Sequence, residues 1–298
     1  MMTSNNSITG LITRGIGGFY RVVTKRAEYE CRARGIFRRR EMSPLPGDIV
    51  EICVIDETRR EGRIDAIHER RNVLERPAVA NVDQLIAVVA SESPGPDMEL
   101  LDKMLITAEK KGISVLICVN KSDFGTDAFL RIRNEYRSAG YPVISTSSRE
   151  NFGVDELQGH LKDRISVFAG QSGVGKSTLL NSIMKAAIME TGDVSIKIGR
   201  GRQTTRHAQL IKLPCGGYIA DTPGFSIFEL SMIKYHELYR YYPELAAYTG
   251  TCRFSPCSHT DEPDCNVKKA LSEGRIGSGR YAGYVKLYKE LKQADRGD

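Results

Sequence analysis

The sequence predicts an α/β protein in three parts: an OB-like N-terminal β-barrel, a central parallel-sheet domain, and a mostly helical tail built around a metal site. Three observations carry this. Short β-branched and aromatic stretches punctuated by turns fill residues 8–72. Apolar runs alternate with amphipathic helical stretches from Val82 onward. Three cysteines crowd together with a histidine late in the chain. The expected boundaries are 1–72, 73–229 and 230–298.

In the first part, Tyr20–Thr24, Tyr29–Ala33 and Ile49–Ile55 read as strands, separated by Gly17-Gly18, Gly35 and Pro46-Gly47-Asp48. Five or so such strands suit a small closed barrel. Arg32, Arg34 and the run Arg38-Arg39-Arg40, interleaved with Tyr29 and Phe37, suggest a surface that faces RNA.

The central part alternates apolar strands (Leu85–Val89, Val115–Val119, Val143–Ile144, Ile165–Phe168) with helical stretches over Met98–Lys111 and Asp127–Ala139. Gly170-Gln171-Ser172-Gly173-Val174-Gly175-Lys176-Ser177 matches G-x-x-x-x-G-K-[ST]. It follows strand Ile165–Ala169 and opens a helical run, Thr178–Met189. The glycines let main-chain N–H groups wrap phosphates, Lys176 reaches the β- and γ-phosphates, and Ser177 ligates Mg²⁺. Asp221-Thr222-Pro223-Gly224 follows strand Tyr218–Ala220; there Asp221 holds Mg²⁺ through water and the Gly224 amide senses the γ-phosphate. Between the two motifs lies Thr204-Thr205. Either threonine can complete the Mg²⁺ shell, with Thr205 the favoured one.

Asn120-Lys121-Ser122-Asp123 follows strand Val115–Val119 and matches N-K-x-D. Its carboxylate would accept from guanine N1 and N2, its Lys stem would pack on the base, and its Asn would bridge loops. Adenine lacks those donors, so the pattern selects GTP and GDP. Ser145-Thr146-Ser147 reads as a companion loop beside the base. The order is permuted, because in ordinary GTPases the phosphate loop precedes the base motif. The fold class is therefore a circularly permuted P-loop GTPase domain between two flanking modules. The segment after Gly224 then leads straight into the tail, so loss of the γ-phosphate could move the tail through a short covalent link.

Cys252-x₄-Cys257-x-His259-x₅-Cys265 is a Cys₃His set, which fits one closed structural Zn²⁺ site in a tail expected to have little core of its own. Lys268, Lys269, Arg275 and Arg280 suggest a second basic patch beside it, and Tyr284–Gln293 a short final helix. His68, His160 and His236 show no partner in the sequence.

Length and composition agree with this division. The 298 residues suit two or three domains, and 41% hydrophobic with 27% charged residues is ordinary for a globular protein. No run of about eighteen apolar residues suggests a membrane span, and Met1–Gly10 does not read as a secretory signal. An odd set of seven cysteines, four of them scattered, favours a reduced compartment, hence the cytoplasm. The net charge of +6 comes from the flanks: residues 77–229 carry 17 basic and 17 acidic side chains. A neutral centre with basic flanks suits delivery to a polyanion.

With permuted motifs, barrel and Cys₃His tail together, the chain resembles the RsgA family of small-ribosomal-subunit-dependent GTPases over nearly its full length. That resemblance implies a late assembly factor of the small (30S) subunit, a cytoplasmic monomer that binds 16S rRNA and leaves on GTP hydrolysis. It also implies Cys252, Cys257, His259 and Cys265 as zinc ligands, Asn120–Asp123 as guanine readers, and Gly170–Thr178, including Thr178 itself, as phosphate binders. Phe225 stands where many GTPases place a water-orienting glutamine, and this family is likewise apolar there. Relatives often carry a histidine before the Thr-Thr pair; this chain has Gln203 there and His207 beyond. Gln203 or rRNA is therefore expected to complete the catalytic site. Two alternatives stay open: an RNA-binding scaffold that nucleotide merely locks, and a permuted GTPase of large-subunit assembly.

Overall fold

A computed structural model describes residues 7–35, 37, 42–75, 78–191, 208–221 and 233–297. The chain forms two compact units. One comprises Met1–Gln84, Gln158–Phe168 and Met184–Phe225; the other comprises Leu85–Leu157, Ala169–Ile183 and Ser226–Asp298.

Strands run β1 (Ser7–Ile16), β2 (Phe19–Thr24), β3 (Glu28–Ala33), β4 (Ile49–Asp56), β5 (Glu61–Ile67), β6 (Val73–Glu75) and β7 (Ala78–Ala80). They continue with β8 (Gln84–Ala90), β9 (Ser114–Asn120), β10 (Val143–Ser145), β11 (Ile165–Ala169), β12 (Gln209–Lys212) and β13 (Tyr218–Asp221). The helices are α1 (Met98–Lys111), α2 (Asp127–Glu135), α3 (Val154–Leu161), α4 (Lys176–Thr191), α5 (Pro243–Ala246), α6 (Asn266–Ser272) and α7 (Ser278–Gly297).

In the first unit β1 pairs with both β2 and β4, β2 with β3, β3 with β5, and β5 with β4. That circuit closes a five-stranded barrel and leaves no free edge. Ile12, Val22, Tyr29, Cys31, Phe37, Val50, Ile52 and Ile64 fill its interior. This corrects the aromatic part of the expected RNA surface, while Arg32 and Arg34 do stay exposed. Successive side chains on a strand point to opposite faces, so Tyr29 and Cys31 of β3 turn inward while Arg32 turns outward. Tyr29 and Phe37 are core residues. The exposed aromatic is Phe19, 40% accessible, with the Arg32 guanidinium 4.5 Å from its ring centroid. Arg38–Arg40 lie outside the described residues. His68 does have a partner, as Nε2 lies 2.9 Å from Glu51 Oε1. In the same unit β11 and β13 run parallel and β12 pairs antiparallel with β13.

In the second unit β9 lies between β10 and β8, with β10 and β9 parallel. Every residue of β8 is buried, as is β9 after Ser114, because helices cover both faces of a parallel sheet. Helix α1 shows its ends plainly in sequence. Asp97 caps it by accepting from the Leu100 amide, and Gly112 ends it at φ 63°. Helix α2 stops at Glu135 and gives way to a 3₁₀ turn at Arg137–Ala139, short of the continuous helix expected to Ala139.

Two expectations about the tail are corrected. It has a substantial aromatic core of its own, including Leu238, Tyr242, Leu245, Val267, Tyr284 and Leu287, joined by Ile106 of α1. Its final helix is also much longer than Tyr284–Gln293. Glycines at 279 and 283 weaken helix propensity, yet α7 runs through both. Close packing explains the choice: a Cβ on Gly283 would lie 2.3 Å from Asp102 Oδ2.

Candidate active site and metal centre

The phosphate-type loop leaves β11 and enters α4 at Lys176. Its backbone uses conformations that only glycine adopts easily, with φ of 146° at Gly170 and 93° at Gly175. Neither position has room for a side chain. A Cβ would lie 2.1 Å from the Val88 carbonyl oxygen at Gly170, and 2.4 Å from Asn120 Nδ2 at Gly175. The Lys176 ammonium lies over the loop, donating to the carbonyls of Gly170 (2.6 Å) and Gln171 (2.8 Å). Burial pulls its pKa below the usual lysine value, since desolvation disfavours the charged form. Ser177 and Thr178 sit exposed in the first turn of α4, while Val174 is buried beneath the loop.

The N-K-x-D turn sits against this loop. Asn120, at the end of β9, is buried, and its Nδ2 donates to the Val174 carbonyl at 2.9 Å. Its Oδ1 accepts from the hydroxyls of Thr146 (3.2 Å) and Ser148 (3.3 Å). One amide side chain therefore joins the base turn, the phosphate loop and the Ser145–Ser148 segment. Asp123 Oδ1 accepts from the Ser147 hydroxyl at 2.8 Å, and the Ser122 amide donates to the Thr146 carbonyl at 3.0 Å. Lys121 takes a left-handed conformation, φ 62°, and its ammonium donates to the Ser93 carbonyl. Such a backbone at a non-glycine residue is held in place by its surroundings.

Sequence reasoning missed the segment Ser91–Asp97 as part of this region. The Ser91 amide donates to the Asn120 carbonyl at 2.9 Å, and its hydroxyl donates to the Lys121 carbonyl. The available signal was Ser91-Glu92-Ser93-Pro94-Gly95, a turn-rich stretch at the end of an apolar strand. Of the remaining expected residues, Gln203, Thr204, Thr205, His207, Gly224 and Phe225 lie outside the described residues. Asp221 ends β13, but its side chain is not described.

The four candidate metal ligands do converge. The ligand atoms of Cys252, Cys257, His259 and Cys265 lie within 4.8 Å of one another. His259 Nδ1 is 3.5 Å from Cys252 Sγ and 3.4 Å from Cys265 Sγ, and the two sulfurs are 3.8 Å apart. A tetrahedral ion bonded to sulfur at about 2.3 Å and nitrogen at about 2.0 Å has S···S edges of about 3.8 Å and S···N edges of about 3.5 Å. The donor set fits such an ion. Helix α7 holds the knuckle backbone: its Tyr281 and Tyr284 donate to the carbonyls of His259 (2.8 Å) and Ser258 (2.5 Å). Burial opposes ionisation of Glu262, but the amides of Ser258 and Thr260 hold its carboxyl down to about 2. Arg280, expected in a basic patch here, is instead fully buried and ion-paired.

Comparison with known proteins agrees with this arrangement. The family model described as RsgA N-terminal domain matches residues 9–64, and the one described as RsgA GTPase matches 67–231. The small ribosomal subunit biogenesis GTPase RsgA of Ruminiclostridium cellulolyticum is 54% identical over 285 residues, 95% of this chain and 93% of its own length. Its namesake from Alkaliphilus metalliredigens is 44% identical, covering 96% of this chain and 99% of its own. Among solved structures, YjeQ from Thermotoga maritima matches with a TM-score of 0.81 at 37% identity, over 96% of this chain and 98% of that one. YloQ, a circularly permuted GTPase, gives 0.82 at 34% identity, over 99% and 98%. The chain belongs to the RsgA family of circularly permuted GTPases.

Proposed function

We propose that this chain hydrolyses GTP while bound to the small ribosomal subunit during its assembly, and leaves as the nucleotide changes state. The supporting observation is the Asn120 to Val174 bond, which holds a guanine-reading turn and a phosphate loop in one network. In this reading Asn120, Lys121, Ser122 and Asp123 read the base, and Gly170–Thr178 bind the phosphates. Lys176 neutralises negative charge developing between the β- and γ-phosphates. Mg²⁺ held by Ser177 and Thr205, with Asp221 acting through water, would supply further neutralisation of the triphosphate. Gln203 orients the attacking water, and the Gly224 amide senses the γ-phosphate. Zinc is the ion that best suits the Cys₃His knuckle. The boundaries 1–72, 73–229 and 230–298 mark the barrel, the GTPase domain and the zinc tail.

The barrel face around Phe19 and Arg32 is the part proposed to meet 16S rRNA, since an arginine beside an exposed ring can stack on unpaired bases. The protein is read as a cytoplasmic monomer; among the described residues no helix is long and apolar enough to cross a membrane.

The test is co-sedimentation with purified small and large subunits in the presence of GDP or a non-hydrolysable GTP analogue, alongside phosphate release. Retention on the small subunit with the analogue, release with GDP and subunit-stimulated turnover are expected. Equal retention on both subunits would refute the reading. Lys176→Ala is expected to lower subunit-stimulated turnover by roughly 10²–10³-fold, the usual cost of one preorganised electrostatic contact to the transition state.

A further inference from the structure

Arg280 lies near the start of α7 and is among the largest fully buried side chains of the described residues. Its Nε donates to Glu244 Oε1 and its Nη1 to Asp102 Oδ1, both at 2.6 Å. The Tyr136 hydroxyl donates to the same Asp102 oxygen at 2.7 Å, and the Tyr242 ring centroid lies 3.9 Å from the guanidinium carbon. The amides of Gly279 and Arg280 both donate to Glu135 Oε2, at 3.0 and 3.2 Å. Partners thus come from α1, α2, the residue following α2, and the stretch Tyr242–Glu244. The helices also touch closely, since Gly283 leaves no space for a Cβ beside Asp102. Sliding α7 along α1 would separate a buried charge from its partners, a strongly unfavourable step.

The two ends of this assembly face different chemistry. Helix α1 starts at the end of the Ser91–Asp97 segment, which touches the base turn through Ser91 and Ser93. Pro94 Cδ lies 3.5 Å from where a Cβ on Gly173 of the phosphate loop would stand. Beyond Arg280, the next turn of α7 supplies Tyr281 and Tyr284, which hold the carbonyls of His259 and Ser258 in the metal knuckle.

We propose that Asp102, Arg280 and Glu244 are positioning residues that make α1 and α7 one rigid lever, so that guanine-nucleotide state at the Ser91–Asp97 segment sets the placement of the metal knuckle. The lever rests on the functional reading above only in requiring that the site bind guanine nucleotides.

Hydrogen exchange by mass spectrometry on the metal-loaded full chain tests this, with GDP and with the non-hydrolysable analogue, and with calorimetry confirming saturation by each. Wild-type peptides covering 258–272 and 278–287 are expected to exchange at rates differing at least about threefold between the two states. Arg280→Lys keeps the charge but loses the planar fork that reaches two carboxylates. It is expected to abolish the difference between states while nucleotide affinity stays within about twofold. A purely structural role would instead speed exchange equally in both states. A wild type with equal exchange in both saturated states overturns the proposal, as does an Arg280→Lys protein that keeps the difference. Should Arg280→Lys fail to fold, the wild-type comparison decides. Should neither nucleotide bind in the calorimeter, the functional reading falls first and the lever with it.

Discussion

Asp123→Asn is expected to weaken GTP binding by roughly 10³–10⁴-fold, about 4–6 kcal/mol, and to admit xanthosine triphosphate in its place. A carboxylate has only acceptors to offer, and guanine presents the N1–H and the 2-amino group to it. Asparagine keeps one acceptor but turns a donor toward that amino group, leaving two donors facing each other. Xanthine carries a carbonyl at the same position, which the new amide can satisfy. The Ser147 hydroxyl, bonded to Asp123 Oδ1 at 2.8 Å, can keep the substituted side chain in place, because a hydroxyl both donates and accepts. Calorimetric titration with GTP and XTP checks this. Unchanged GTP affinity would remove Asp123 from base recognition, while loss of both nucleotides would point to a collapsed turn.

The second large effect concerns the metal. Chelation, or Cys265→Ser, is expected to destabilise the knuckle by more than about 4 kcal/mol, since loss of a structural metal is among the few single changes of that size. The effect should stop short of unfolding the tail. Leu238, Tyr242, Leu245, Tyr284 and Leu287 contribute apolar and aromatic packing that remains when the ion is removed, and Arg280 keeps α7 seated on α1. Calorimetry should therefore show a lowered and broadened transition, with protease cutting within 250–266 and sparing 278–297. Acidification should release the metal before it unfolds the barrel, because thiolate ligands must be deprotonated to bind and protons compete for them as pH falls. A melting curve indifferent to chelator would mean that the cysteines hold no structural ion.

Contiguous motifs were the legible part of this protein. The phosphate-type loop, the N-K-x-D turn and the Cys₃His knuckle each fall within a short stretch of chain, so spacing alone pointed to what each is proposed to bind. The sheet of the central domain showed in its apolar runs, and the extent of α1 in the helical stretch Met98–Lys111. Assignments that depend on which way a side chain faces were much less secure. Tyr29 and Phe37 looked like an RNA surface, but strand alternation turns Tyr29 inward, Phe37 packs into the same core, and Phe19 is left outside beside Arg32. The final helix was expected only over Tyr284–Gln293, yet α7 begins at Ser278, and its glycines 279 and 283 lie where it approaches Glu135 and Asp102.

Arg280 shows most sharply where the boundary lies. The sequence by itself named the segments where nucleotide and metal binding are proposed, because motif spacing and donor type are local properties of a few neighbouring residues. Only the tertiary structure decided which charges face water. Burying a guanidinium is tolerable only where carboxylates wait for it, and here they come from 36 and 178 residues away along the chain. No local pattern records such a pairing, since its energy exists only once the distant segments have met.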